Sequence, residues 1–209
     1  MSEPEWTPKT LTTDCVRAIL AGRKTQLRQA LDPQPPEAAS IAGIDLEGRL
    51  TWTEDNRTVR GDPCPLGQPG DRLWVREPWA LAPEAEGRLE PDVARRHVRY
   101  LADEEVGPSG GGNAPGVPSE FRPAREMPRW ASRLTLEITG VRLEQLQAIS
   151  PEDLEAEGGM WREETCDPGS DADRKGFARW WSQVNAARGN AWEANPWVWV
   201  VEFLRVDRE

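Results

Sequence analysis

The sequence predicts a mixed α+β fold: a small β-barrel carrying two or three short peripheral helices. Strand-like alternation recurs at points far apart along 209 residues, helical periodicity is confined to three short stretches, and no internal repeat, Rossmann or P-loop signature is present. That length suits a single domain, residues 1–209, with insertions.

Taken in order, Thr13 or Asp14 can cap a first helix whose Val16, Ile19 and Leu20 share a face, with Gly22 just past its end. Arg23 and Lys24 then stand at its negative end, where basic side chains complement the dipole for about 0.3–1 kcal/mol. Pro33, Pro35 and Pro36 mark residues 31–45 as an irregular crossing, and a strand follows around residues 50–53. In the run Cys64-Pro65-Leu66-Gly67-Gln68-Pro69-Gly70-Asp71-Arg72-Leu73-Trp74-Val75-Arg76-Glu77, Pro69-Gly70 suits the centre of a type II turn. Beyond it Leu73 and Val75 alternate with Arg72, Trp74 and Arg76, so one face enters a core and the other offers two guanidiniums and an indole.

Residues 81–125 are rich in charge, glycine and proline and predict a long, flexible, partly disordered insertion, broken by a strand-like piece at residues 98–101. Ser109-Gly110-Gly111-Gly112 within it lacks the helix and the Lys-Ser/Thr pair of a phosphate-binding loop. Residues 103–124 hold so few apolar side chains that their removal is expected to leave the fold intact. Leu134, Leu136 and Ile138 then alternate with Arg133, Thr135, Glu137 and Thr139 as a strand with one wet face. Ser150 as N-cap, Pro151 in the first turn, Asp153 in the capping-box position and Ile149 stapled to Leu154 start a second helix, which Glu157-Gly158 closes. Phe177, Trp180, Trp181 and Val184 give a third helix its apolar face. Trp197–Val206, apolar on both faces for most of its length, Glu202 and Arg205 excepted, reads as a strand central to the barrel.

Composition narrows the chemistry. A formal charge of −10 argues against coating nucleic acid by general phosphate neutralisation, so any such contact must be local. A single histidine, His97, excludes a multi-histidine metal site, and Cys15, Cys64 and Cys166 form neither a disulfide framework nor a metal knuckle. The expectation is no metal and no cofactor. Met1-Ser2-Glu3-Pro4-Glu5 lacks the basic and apolar regions of a signal peptide, and no run approaches a membrane span, which predicts a cytoplasmic protein without membrane contact.

With Arg23-Lys24-Thr25 upstream and Trp192-Glu193-Ala194-Asn195-Pro196-Trp197 near the end, the Cys64-to-Glu77 run resembles the ASCH family of PUA-like β-barrels, in its long phage- and prophage-type form. The resemblance covers most of the chain outside residues 81–125. It implies a cleft in a PUA-like barrel that binds RNA, a nucleotide or a modified nucleoside. A bacterial branch of the superfamily consists of N(4)-acetylcytidine amidohydrolases, whose catalytic set is a lysine and the second threonine of Lys-Thr-x-Thr, with a later glutamate. Carried over, the lysine falls on Lys24, the glutamate on Glu157 and the second threonine on Leu27, which has no hydroxyl. Thr25 is the candidate substitute, and Arg28 stands for the family's arginine at a spacing one residue shorter. The alternative activity is therefore an amidohydrolase acting on an acylated cytidine, with ribonuclease a weaker one.

By residue type alone, Lys24 and Glu157 are either a catalytic pair or a salt bridge across the mouth of a barrel, and they are expected to meet at the floor of one cleft. Arg23, Arg76 and Glu77 are expected to complete that cleft. Trp74, Trp79 and Trp130 lie close in sequence to arginines such as Arg129, an arrangement that either clamps a base between indole and guanidinium or simply packs the surface.

Overall fold

Because Trp197–Val206 carries apolar side chains on both faces it needs cover on both, and it lies inside a sheet with a packed core on each side. A computed structural model of the protein describes residues 6–36, 40–45, 47–55, 57–82, 95–104, 121–162 and 166–206. Among them run ten strands: β1 (Trp6–Thr10), β2 (Gln26–Ala30), β3 (Ser40–Ile44), β4 (Arg49–Glu54), β5 (Arg57–Pro63), β6 (Arg72–Arg76), β7 (Trp79–Leu81), β8 (Val98–Tyr100), β9 (Thr135–Gln145) and β10 (Trp197–Val206). Three α-helices accompany them, α1 (Thr13–Leu20), α2 (Pro151–Ala156) and α3 (Asp171–Asn185). Strands β1, β6, β9, β10 and β2 pair in that order, β1 with β6 in parallel and the others antiparallel. Strands β3, β4 and β5 form a separate antiparallel sheet, and β7 pairs with β8. The architecture is α+β and rich in sheet, and among the described residues no sheet closes on itself through its backbone ladder.

Register decides what each face of the five-stranded sheet carries, since residues opposite one another on neighbouring strands point to the same side. Lys9 lies opposite Val75, Leu73 opposite Leu136 and Leu27 opposite Val201; their apolar members join the larger core with Ile19, Cys15, Cys64 and Phe203. Val198 and Val200 point the other way, into a second core with Leu146, Ile149, Leu154, Phe177 and Trp181 beneath α2 and α3. Arg28 and Arg142 both lie opposite Val200 and so share that second face. At the two edges of the sheet, Lys9 Nζ donates to Gln29 Oε1 at 2.7 Å, and side chains bridge β1 to β2 where the ladder stops.

The helix ends follow local chemistry. The Thr12 hydroxyl, rather than Thr13 or Asp14, caps α1 by accepting from Cys15 N, because Thr12 is the last residue with extended backbone. At the other end Gly22, at φ +70°, allows a Schellman closure in which Gly22 N bonds Ile19 O and Arg23 N bonds Ala18 O. Ser150 caps α2 through Asp153 N at 3.1 Å with Pro151 in the first turn, and Ser170 does the same for α3 through Asp173 N.

Several expectations need correction. Residues 31–45 are not wholly irregular, since β3 occupies their end and pairs with β4. Strand β9 continues to Gln145: the register shifts between Glu202 and Phe203, which inverts the alternation after Ile138 and hides the rest of the strand from a period-two reading. Val184 stands exposed on α3 rather than in its apolar face. Within 81–125, parts pack: Leu101 and Phe121 are buried with Ala80, Ala124 is buried, and Arg122 exchanges backbone hydrogen bonds with Trp79. Residues 83–94 and 105–120, including Ser109-Gly110-Gly111-Gly112, lie outside the described residues.

Candidate functional site

The turn after α1 delivers Lys24 to the end of α2. Lys24 and Glu157 form an isolated antiparallel bridge, and Thr25 N donates to Ala156 O at 2.9 Å. Gly158, at φ +98°, makes this approach possible, for a Cβ there would lie 2.9 Å from Lys24 Cβ and 3.0 Å from Ala18 Cβ.

The side chains then meet. Lys24 Nζ donates to Glu157 Oε2 at 2.6 Å and to Glu157 O at 3.0 Å, while Arg28 Nη1 donates to Glu157 Oε1 at 2.9 Å. Both carboxylate oxygens of Glu157 are engaged, and the three residues are only 3%, 1% and 8% exposed for Lys24, Glu157 and Arg28. The Arg28 guanidinium continues to Glu144 Oε1 and to Asp153 Oδ2 at 3.0 Å, and Arg142 holds the other Asp153 oxygen at 2.7 Å. Burial works to raise the Asp153 carboxyl, but the Arg142 hydrogen bond with the Arg28 and Arg142 charges outweighs it and holds that group below the usual carboxylate range. Burial likewise opposes charge on Arg28, and the Glu157 and Glu144 carboxylates more than offset it.

Beside this network opens a cleft of about 360 Å³ at the seam between β1 and β2. Lys9, Lys24, Glu157 and Cys15 line it together with Gln29, Trp180, Trp181, Asn185 and Asn190. Lys9 is half-buried, and desolvation lowers its pKa from 10.5 to about 8; the Lys24 cation adds to that, while Cys64, Cys15 and Glu157 oppose it. Sequence reasoning missed Lys9 as a site residue. The signal available was rarity: Lys9 and Lys24 are two of only three lysines in the chain, the third being Lys175, and both line the same cleft.

The other expected residues lie elsewhere. Thr25 is exposed and outside the cleft lining, and Leu27 is buried in the larger core with its side chain at the cleft wall. Arg23 is exposed and donates to Gly158 O at 2.7 Å. Arg76 and Glu77 are not among the residues lining the cleft. Glu77 is buried and held by Arg133 Nε and Nη2 at 2.9 and 3.0 Å, and its burial still pushes its carboxyl up. Trp79 is a core residue, packed with Met127 and Ala131 and edge-on to Trp130, with ring centroids 5.8 Å apart, and the Arg122 guanidinium lies 5.1 Å from its ring centroid. Trp74, Arg129 and Trp130 line a different groove. Among the described residues no group of three or more His, Cys, Asp or Glu side chains is arranged to hold a metal ion, and no helix is long and apolar enough to cross a membrane.

No family model matches the chain, and no curated protein matches it. Among solved structures it is similar to the crystal structure of protein EF3133 from Enterococcus faecalis V583, of the family model DUF984. The identity is 12%, the TM-score 0.43, and the match covers 99% of this chain and 82% of that one. A likeness of that degree assigns neither a fold family nor an activity.

Proposed function

We propose that the seam cleft binds a nucleoside-like ligand, the protein being a divergent, PUA-like member of the ASCH family that acts in the cytoplasm on RNA, a nucleotide or a modified nucleoside. The observation that carries this reading is the composition of the cleft: cationic Lys9 and Lys24 with Glu157, the indoles of Trp180 and Trp181, and the amides of Gln29, Asn185 and Asn190. A flat base needs an apolar wall and in-plane hydrogen-bond partners, and a cleft of about 360 Å³ falls in the usual range for a small ligand. The Lys24–Glu157–Arg28 set serves as the rigid floor, because its charges already satisfy one another.

Amide hydrolysis is the second reading, and the lowered pKa of Lys9 favours it. In that reading the neutral Lys9 amine takes the proton of a water that attacks the acyl carbon, and the Lys24 ammonium balances the charge on the carbonyl oxygen. The C–N bond then breaks, the proton passes to the leaving amine, and carboxylate and free cytidine depart. Titrating cytidine and N(4)-acetylcytidine into the protein, with acetate release followed in the same samples, separates the readings. Saturable binding without release supports the first, release supports the second, and neither binding nor release refutes both.

A further inference from the structure

The ion-pair network of the seam cleft leaves one amine out. Lys9 lies opposite Val75, on the side of the sheet that carries the larger core, and reaches across the open edge to Gln29 Oε1 at 2.7 Å. Among the described residues that neutral amide is its one hydrogen-bond partner, and no carboxylate pairs with it. The Glu157 carboxylate in the same lining is taken on both oxygens, by Lys24 at 2.6 Å and by Arg28 at 2.9 Å. Asp32 and Arg188, the remaining charged groups of the lining, are exposed. Lys24 is the converse of Lys9: its buried ammonium donates to the Glu157 carboxylate and to the Glu157 carbonyl. Leu11, Leu27, Trp180 and Trp181 give the cleft apolar lining.

We propose that the Lys9 amine is a nucleophile that captures a small apolar aldehyde or ketone in the seam cleft as an imine. The uncharged amine attacks the carbonyl carbon, the π electrons pass to oxygen, and a proton moves from nitrogen to that oxygen to give a carbinolamine. The nitrogen lone pair then closes the C=N bond as the hydroxyl leaves, and the second N–H proton departs with it as water. Amine and carbonyl become imine and water, and no oxidant or other reactant is consumed. A carboxylate partner would hold the proton on nitrogen, whereas the Gln29 oxygen accepts a hydrogen bond from either form of the amine. Desolvation lowers the Lys9 pKa to about 8, helped by the Lys24 cation and opposed by Cys64, Cys15 and Glu157, so the reactive form is present near neutrality. This covalent step goes beyond hydrogen-bonded recognition and stands whether or not a nucleoside occupies the cleft.

The test is reductive trapping of benzaldehyde by the full chain with sodium cyanoborohydride at pH 7.5, the modified side chains being located by peptide mass spectrometry. Lys9, Lys24 and Lys175 are the only lysines, so every lysine is scored. At that pH an ordinary lysine is roughly 0.1% neutral and an amine near 8 roughly a quarter neutral. Lys9 is expected to be modified at least about tenfold faster than the exposed Lys175, and Lys24 more slowly than Lys9. The preference should vanish in the urea-unfolded chain and shrink as pH rises toward 10.5. Benzyl alcohol, which carries the ring without the carbonyl, should slow Lys9 and leave Lys175 unaffected. Lys9→Arg keeps the charge, forms no imine and should retain only the slow labelling; mapping on the parent chain decides the matter even if that variant proves unfolded. Equal modification of Lys9 and Lys175 in the folded chain, preferential modification of Lys24, a preference that survives unfolding, or indifference of Lys9 to benzyl alcohol overturns the proposal.

Discussion

Lys9 points from β1 into the side of the sheet that holds the larger core, and its ammonium meets the neutral Gln29 rather than a carboxylate. That combination fixes a pH signature. Near pH 7 the ammonium is protonated whether the chain is folded or not, and the folded state bears the cost of its partial desolvation. Between about 8 and 10.5 the unfolded chain keeps the proton while the folded one has released it, so this residue's contribution to stability rises with pH across that window. We expect Lys9→Met to be more stable than the parent near pH 7, by a margin that shrinks toward pH 10.5; chemical denaturation at stepped pH checks it, and a margin that stays flat would contradict the assigned burial. Cys64, whose thiol burial pushes up, is coupled to Lys9 through charge, so the comparison is made in a Cys64→Ala background as well. Glu157 is the opposite case, a buried charge answered on both oxygens. Glu157→Gln leaves Lys24 and Arg28 short of a counter-charge and is expected to cost about 3–5 kcal/mol. In a chain of this size that lowers the melting temperature by roughly 10 °C, as a thermal melt at neutral pH would read.

The elements that position these residues were unequally legible. Helix α2 announces itself through Ser150, Pro151 and the apolar pair Ile149 and Leu154, and Gly22 marks the end of α1, because capping is local chemistry written in adjacent residues. Strands β1 and β2 escaped the sequence reading. Pro8 and an inward Lys9 break the alternation of β1, and β2 sends Arg28 and Gln26 into buried ion-pair and hydrogen-bond partners that come from α2, more than a hundred residues away. Lys24 and Glu157 were legible only through family resemblance, since the bridge between them depends on a close approach at Gly158 that no local pattern encodes. Gly158→Ala meets a positive φ and contacts of 2.9 and 3.0 Å at once. It should destabilise by more than the roughly 0.5–1 kcal/mol that separates glycine from alanine elsewhere. A denaturant midpoint within error of the parent's would show that the α2 end can move away from Lys24 freely.

At the scale of the whole molecule, the alternation of apolar and polar residues foretold an α+β fold with wet strand faces, and tertiary pairing decided the rest: an open five-stranded order whose edges are joined by the Lys9–Gln29 bond, and a small cluster in which Leu101 and Phe121 are buried with Ala80 of β7. Phe121, Arg122 and Ala124 belong to that packing. Deleting residues 103–124 is therefore expected to destabilise the protein instead of leaving it intact; losing the buried Phe121 alone is worth about 3–5 kcal/mol. An unchanged melting temperature in the deleted chain would show that β7 and β8 stand without it.

The central claim is that the seam between β1 and β2 is a nucleoside site built around Lys9. Calorimetric titration of N(4)-acetylcytidine into the parent protein and into Lys9→Met, at neutral pH, tests it most directly. The account predicts saturable binding to the parent, weakened about tenfold or more in Lys9→Met through loss of a charge-assisted hydrogen bond. No heat of binding to the folded parent, or equal affinity in the two proteins, would contradict it.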